Sequence, residues 1–383
     1  MSNLLFLVNH QLSDESGISK KIISQFDALS SSFNHSFLCN FSDADGYYTR
    51  VINYSPFDKS VASDNKLQRF ILEGDFSSVF QFCLNNNITH VYIRYTHFAN
   101  YSFIKLIERL KRNNVKLVLE IPTYPYDNEY VRDFSFKGAY RSLKLRLERV
   151  FRRKMKDYVD RIVTFSDHEK IFGIETICIS NAVSTELAPC CNNFSDIKNE
   201  LRLVGVAVLA HWHGYDRLIK SLAAYNLGSS SDNKPTIIFD IVGDGEILCS
   251  LKSLTTELGV SDFVNFYGYL SGDALDSVIT AGHIGVDSLG RHRSGNRENN
   301  SLKSKEYIMR GLPVLKSHVD RSIDDLDFVY TTSCDEEDID LRKVVAFFHQ
   351  VSYTPTAIRK VGRNKFSWNI QMKKVLTEAN WDE

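Results

Sequence analysis

No stretch of the chain stays apolar for the ~18 residues that a membrane-crossing helix needs. The N-terminal M-S-N-L-L-F-L-V-N-H carries a short apolar run with neither a basic flank nor a small-residue cleavage site. Charge of one sign is also lacking: 46 Lys and Arg oppose 47 Asp and Glu, for a net charge of -1. No bulk field therefore draws the protein to nucleic acid, and attraction of anions must come from local clusters. The seven Cys are odd in number, include the adjacent Cys190 and Cys191, and form no C-x-x-C pair or disulfide framework. There is no G-x-G-x-x-G, so a dinucleotide fingerprint is absent, and no internal repeat or low-complexity tract occurs. The expectation is a cytoplasmic protein in a reducing compartment, with no nucleic-acid partner.

With 383 residues, 43% of them hydrophobic and 12% aromatic, the chain can bury about two domain cores. Its first half alternates apolar runs of strand length (Leu4–Val8, His90–Tyr95, Val115–Ile121, Arg161–Phe165) with segments of helical period, the first opening at Gly17. From Ser184 to Asn199 the pattern lapses. It restarts with strands at Leu201–Leu209, Thr236–Val242, Val264–Tyr267 and Ile284–Asp287, again separated by helices. Strands joined by helix-length connections predict an α/β protein built from parallel sheets covered on both faces. The expected division is a first doubly wound domain over 1–188, a linker over 189–199 and a second such domain over 200–365, with the 366–383 helix packing back on the first. Ligands of open parallel sheets bind beyond the carboxyl ends of the strands. That rule directs attention to Asn9–Gly17, to Glu120–Tyr130, to Gly243 in the G-D-G turn and to the loop after Asp287.

Several stretches carry candidate chemistry. In E-I-P-T-Y-P-Y-D-N-E-Y, Pro122 and Pro125 stiffen a loop where Glu120, Tyr124 and Tyr126 could meet a sugar, or which could simply connect a strand to a helix. Phe134–Arg161 holds ten Lys or Arg against three acids, with Leu143, Leu147, Val150, Phe151, Met155 and Tyr158 on one side of a helical wheel. It reads as a buried apolar stripe with solvated charges, or as a helix lying on an anionic membrane surface. Asp43 and Asp45, just before Gly46, could chelate a divalent cation but read as a turn, and His211 and His213 shape a loop. The densest segment is Glu298–Val314, E-N-N-S-L-K-S-K-E-Y-I-M-R-G-L-P-V. There a helix begins at Ser301 or Ser304, with first-turn amides and Lys303 and Lys305 suited to a phosphate, or an ordinary surface helix is capped.

The ordered pieces V-G-V-A, H-W-H-G-Y-D-R-L-I, I-V-G-D-G, V-N-F-Y-G, an aspartate-ended strand and E-x7-E-Y-I-M-R-G-L-P-V resemble the nucleotide-binding half of GT-B glycosyltransferases of the retaining family 4. The W-H-G-Y-D-R and L-K-S-K-E-Y variants look most like bacterial enzymes that build capsules or cell-surface polysaccharides.

The resemblance implies two Rossmann-like domains facing across a cleft, whose closure excludes water. It implies same-face transfer of a sugar from a nucleotide-diphosphate sugar to a glycan or lipid-linked acceptor. By motif, Glu298 lies near the donor sugar and diphosphate, and Glu306 accepts from the ribose hydroxyls. Lys303, with the amides after Ser301 and Leu302, neutralises the leaving diphosphate. Where the family carries a basic pair upstream, this chain has no basic residue at the first position and His213 at the second, so Arg293 and Arg217 become candidates for the phosphates. Gly17 and Gly243 are expected beside the donor. No metal or other cofactor is expected, and membrane contact would run through 134–161. A nucleotide-sugar epimerase and a non-catalytic sugar-nucleotide-binding subunit are the alternatives.

Overall fold

The computed structural model describes residues 2–13, 16–124, 146–183, 189–191, 199–228, 234–295 and 297–381. Its chain divides into two compact units: Met1–Ser180 with Trp368–Glu383, and Asn181–Ser367.

The first unit contains β1 (Asn3–Gln11), β2 (His35–Ala44), β3 (Tyr47–Ile52), β4 (Ser55–Pro56), β5 (Val61–Ala62), β6 (His90–Arg94), β7 (Lys116–Ile121), β8 (Arg161–Thr164), β9 (Lys170–Ile171) and β10 (Ile174–Cys178). Its helices are α1 (Gly17–Ser30), α2 (Lys66–Gly74), α3 (Ser77–Asn85), α4 (Tyr101–Arg112), α5 (146–152) and the C-terminal α12 (Trp368–Glu378). The parallel core runs β2-β1-β6-β7-β8-β10. Leu4–Val8 in β1 is almost wholly inaccessible, as a continuous apolar run in a sheet covered on both faces requires. Asp45 and Gly46, both at positive φ, turn β2 back into antiparallel β3, so the D-A-D-G stretch is a hairpin turn. Asp43 is spent on Arg69 at 3.1 Å and on the Ser63 hydroxyl at 2.5 Å. Helix α12 packs on α1, and Trp381 packs edge-on against Phe33 and His90.

The second unit is a fully parallel six-stranded sheet of β11 (Glu200–Val206), β12 (Thr236–Val242), β13 (Val264–Gly268), β14 (Ile284–Val286), β15 (Val314–Lys316) and β16 (Val329–Thr331), in the order β13-β12-β11-β14-β15-β16. Counted within the unit this is 3-2-1-4-5-6, the Rossmann order, whose topological switch point lies between β11 and β14. The helices are α6 (Tyr215–Asn226), α7 (Leu248–Glu257), α8 (Gly272–Thr280), α9 (Leu302–Met309), α10 (Leu341–Gln350) and α11 (Pro355–Phe366). At the switch point Tyr307 of α9 bridges the two strands: its hydroxyl accepts from Val206 N at 2.9 Å and donates to Val286 O at 3.2 Å. Gly285 makes room for that ring, since a Cβ there would lie 2.2 Å from it.

This unit begins at Asn181, upstream of the segment read as a linker. Asn181 hydrogen bonds to Asn300, Val183 pairs with Ser367, and the buried Cys191 donates its amide to Arg310 O at 2.7 Å.

The basic segment departs from the single wheel drawn over 134–161. Helix α5 ends at 152 and a 3-10 turn, Met155–Asp157, follows, so no one periodicity spans the segment. Leu147 and Val150 are more than half exposed, whereas Glu148 is buried against the Tyr95 hydroxyl and Arg152. Residues 134–145 lie outside the described ones. Among the described residues no helix is long and apolar enough to cross a membrane.

Candidate active site

Beyond the carboxyl ends of β11 and β14 the chain supplies three pieces: the 207–214 loop, Asp287 with Ser288, and the N-terminus of α9. Asp287 is inaccessible to solvent and organises them. Its Oδ1 lies 3.0 Å from Lys303 Nζ and accepts from Ser288 N at 2.7 Å, while Oδ2 accepts from the Ser304 hydroxyl at 2.6 Å. Burial alone would raise its carboxyl; Lys303, with the Ser301 and Ser304 hydroxyls, outweighs that and holds it well below the usual carboxylate range.

Lys303 is one-fifth exposed at this edge and reaches the Ser288 hydroxyl at 3.3 Å. It is the second residue of α9, whose N-cap Ser301 makes no side-chain cap, so the first-turn amides after it have no carbonyl partner within the helix. Ser301 N itself donates to Asp320 Oδ2 at 3.1 Å. Beneath α9, Lys305 pairs with Asp320 and Lys316 with Asp324, all but the last inaccessible. Lys305 is thus a buried structural ion, and of the two lysines in the segment only Lys303 lies at the surface.

His213 joins the same site. Its Nδ1 accepts from Ala210 N at 3.1 Å, so Nε2 carries the proton of the neutral ring. Burial, with Lys303 nearby, pushes its pKa down to about 3 against the opposing pull of Asp287. The 207–209 loop is held in place by Gly243, at φ +129, where a Cβ would meet Ala207 O at 1.8 Å.

The two arginines are otherwise employed. Arg293 forks onto Asp216 at 2.7 and 2.9 Å and onto Glu336 at 2.7 and 2.5 Å, and also donates to His211 O. Arg217 is buried, and its nitrogens bond Leu289 O, Ser333 O, Ser333 Oγ, Asp335 and Glu337 O. Both brace the 333–337 loop, and neither presents an idle fork to a phosphate.

Glu298 stands on the loop before α9, its side chain 60% exposed and 3.4 Å from Arg321. Leu302 opens α9 and Glu306, half-buried, sits one turn further on. In the first unit Gly17 opens α1 behind the N-cap Ser16, with open space around the place of a Cβ. Glu120 does not face a loop. It is the penultimate residue of β7, inaccessible, and bonds Arg94, Gln25 at 2.8 Å and the Tyr92 hydroxyl at 2.7 Å. Tyr124 packs edge-on against His168 and Phe172, and Tyr126 lies outside the described residues.

Ser288 and His318 are site residues that the sequence pattern did not single out, while Ser304 entered only as a possible N-cap and Asp287 only as the aspartate ending an apolar strand. His318, thirty-one residues later, is brought there only by the parallel pairing of β14 with β15.

No family model matches the chain, and no curated protein matches it. Solved structures do. A sucrose-phosphate synthase from Thermosynechococcus elongatus aligns over 100% of both chains at 13% identity and a TM-score of 0.63. A glycosyltransferase from Rickettsia africae aligns over 100% of this chain and 98% of its own at 15% identity, with a TM-score of 0.62. The chain has the GT-B fold. The lipopolysaccharide outer core galactosyltransferase WaaB, at 13% identity over 99% of each chain and a TM-score of 0.57, shares it. At these identities the likeness is one of fold. Within the GT-B fold, the Rossmann-ordered second unit places its switch point at Asp287 and Lys303.

Proposed function

We propose that this chain is a retaining glycosyltransferase that moves a sugar from a nucleotide-diphosphate sugar to a glycan or lipid-linked glycan acceptor, in the synthesis of a bacterial surface polysaccharide. The observation that carries the reading is the position of Lys303: an ammonium at the rim, on the first turn of a helix with no side-chain cap, at the switch point of a Rossmann-ordered sheet. Phosphates bind at such helix termini because first-turn amides and the macrodipole both favour an anion.

In this reading the diphosphate sits on the α9 N-terminus. Lys303 and the His213 Nε2–H donate to it and take up the charge that develops as the glycosidic bond breaks, which supplies several kcal/mol of barrier lowering. The departing phosphate then accepts the acceptor hydroxyl proton, so no separate protein base is required. Glu306 holds the ribose and Glu298 the sugar. The charge is balanced by protein groups without a metal ion. Exposed Leu147 and Val150, beside exposed Arg146, Arg153 and Lys154, favour contact with an anionic membrane carrying the acceptor.

A thermal-shift screen against UDP-, GDP-, ADP- and CMP-sugars tests the donor class, since a ligand of the folded state raises Tm by mass action. With the donor found, Glu298→Gln is expected to keep binding and lose turnover, and turnover unaffected by EDTA is expected for the wild type. Unchanged turnover in Glu298→Gln removes Glu298 from the mechanism, while isomerised donor in the absence of acceptor favours an epimerase.

A further inference from the structure

Resting on that reading, a second group at the switch point has chemistry of its own. His318 is inaccessible to solvent. Its Nδ1 lies 3.4 Å from Ser288 O, a carbonyl that can only accept, so the neutral ring carries its proton on Nδ1. Nε2 then presents a lone pair and has no hydrogen-bond partner, yet it faces Asp287 Oδ2 at 4.0 Å. Two acceptors confront each other inside a closed site, a contact that a single proton on Nε2 would turn from repulsive to attractive.

The charges around His318 explain why that proton is withheld. Asp287 and the Ser288 carbonyl face it from the end of β14, Lys316 from β15, and Asp320 from the loop that follows, with Asp324 next along the chain on Lys316. Helix α9 adds Lys303 on Asp287 and Lys305 on Asp320, and neutral His213, on the 207–214 loop, lies near Lys303 and Asp287. Three lysines balance three aspartates, so the cluster is neutral and a protonated imidazole would be an uncompensated buried charge. Burial accordingly holds the His318 pKa below its ordinary value, with Lys316 adding to the effect and Asp287 and Asp320 opposing it. A diphosphate at the α9 N-terminus changes the balance. It brings two or more negative charges and competes with Asp287 for Lys303, leaving the Asp287 carboxylate in need of a donor.

We infer that His318 takes up one proton from solvent when a nucleoside diphosphate binds, and that the protonated ring replaces Lys303 on Asp287 so that Lys303 turns to the diphosphate. His318 is on this account a positioning residue that acts through Asp287. Nucleotide release returns the proton, so rising pH favours departure of the spent nucleotide.

The test is isothermal titration of the full chain with UDP, GDP and ADP at about pH 8, where the terminal phosphate, with its last pKa near 6, is already almost fully ionised. Each titration is run in two buffers of different ionisation enthalpy. The expected result is uptake of about one proton per nucleotide and a Kd that weakens up to about tenfold per pH unit. His318→Asn, or His318→Gln if the first variant does not fold, is expected to bind with no uptake and a flat pH profile. His213→Asn is expected to keep the uptake. Binding by the wild type without proton uptake, or uptake that persists in a folded His318 variant, overturns the inference and leaves the proposed function standing. If none of the probes binds the wild type, the proposed function falls and this inference with it.

Discussion

The ammonium of Lys303 lies 3.0 Å from the carboxylate of Asp287, the lysine at the rim of the second sheet and the aspartate buried beneath it. The pair links the first turn of α9 to the end of β14, the two elements that flank the switch point. Without nucleotide, the lysine has a partner that keeps it at the edge.

Asp287→Asn is expected to lower stability by about 3 kcal/mol, because it removes the buried charge that faces Lys303. The sign with pH follows from the depressed carboxyl. Its contribution is fully present above the unfolded value near 3.8 and is lost as pH falls below that towards the folded value. Acid unfolding monitored by circular dichroism should show a smaller loss between neutral pH and pH ~3 in Asp287→Asn than in the wild type.

Arg217 illustrates the limits of choosing phosphate ligands by residue type. It is 2% exposed and saturated by the 333–337 loop and Leu289. Arg217→Met is expected to cost about 3 kcal/mol, since the buried Leu289 carbonyl and the part-buried carbonyls of Ser333 and Glu337 lose their donor together. Nucleotide affinity, measured below the lowered Tm, should change little. A large affinity loss with unchanged Tm would place Arg217 on the ligand instead.

Glu120 and Glu298 make a second contrast. Glu120→Gln leaves Arg94 buried without its counter-ion and is expected to destabilise the first unit by about 3 kcal/mol or more. Glu298→Gln, at an exposed position, should leave the unfolding free energy within about 0.5 kcal/mol of the wild type. Denaturant titration of the two variants separates them.

Much of this was legible in sequence because local pattern and fold agree. The apolar runs at Leu4–Val8 and Thr236–Val242 read as buried strands and are, and the rule for open parallel sheets directed attention to the loop after Asp287. What stayed hidden depends on partners distant in sequence. Whether Arg293 is idle or clamped is decided by Asp216 and Glu336, 77 and 43 residues away. Glu120 looked like a loop residue because its strand ends one position later, and only the neighbouring Arg94, Gln25 and Tyr92 make it a core residue. The wheel drawn through 134–161 failed because a helix that stops at 152 cannot carry one periodicity beyond it.

The exposed Leu147 and Val150 with Arg146, Arg153 and Lys154 lead to a membrane prediction. The protein is expected to co-sediment with vesicles containing anionic lipid at low salt. Release by salt, and loss of binding in a variant with Arg146, Arg153 and Lys154 neutralised, are the expected signatures. No sedimentation at low salt removes this surface from the account.

The most direct measurement is the thermal shift given by UDP, GDP and ADP in the wild type and in Lys303→Met. At about one hundred times Kd, a nucleotide that binds at the α9 N-terminus stabilises the fold by about 2.7 kcal/mol. That raises Tm by roughly 5–10 °C for a unit of this size. At the same concentration, Lys303→Met is expected to lose most of that shift, read against its own unliganded Tm, which is lowered because buried Asp287 loses its counter-ion. An equal shift in the variant, or none from any of the three nucleotides in the wild type, would contradict the assignment of this helix terminus as the diphosphate site.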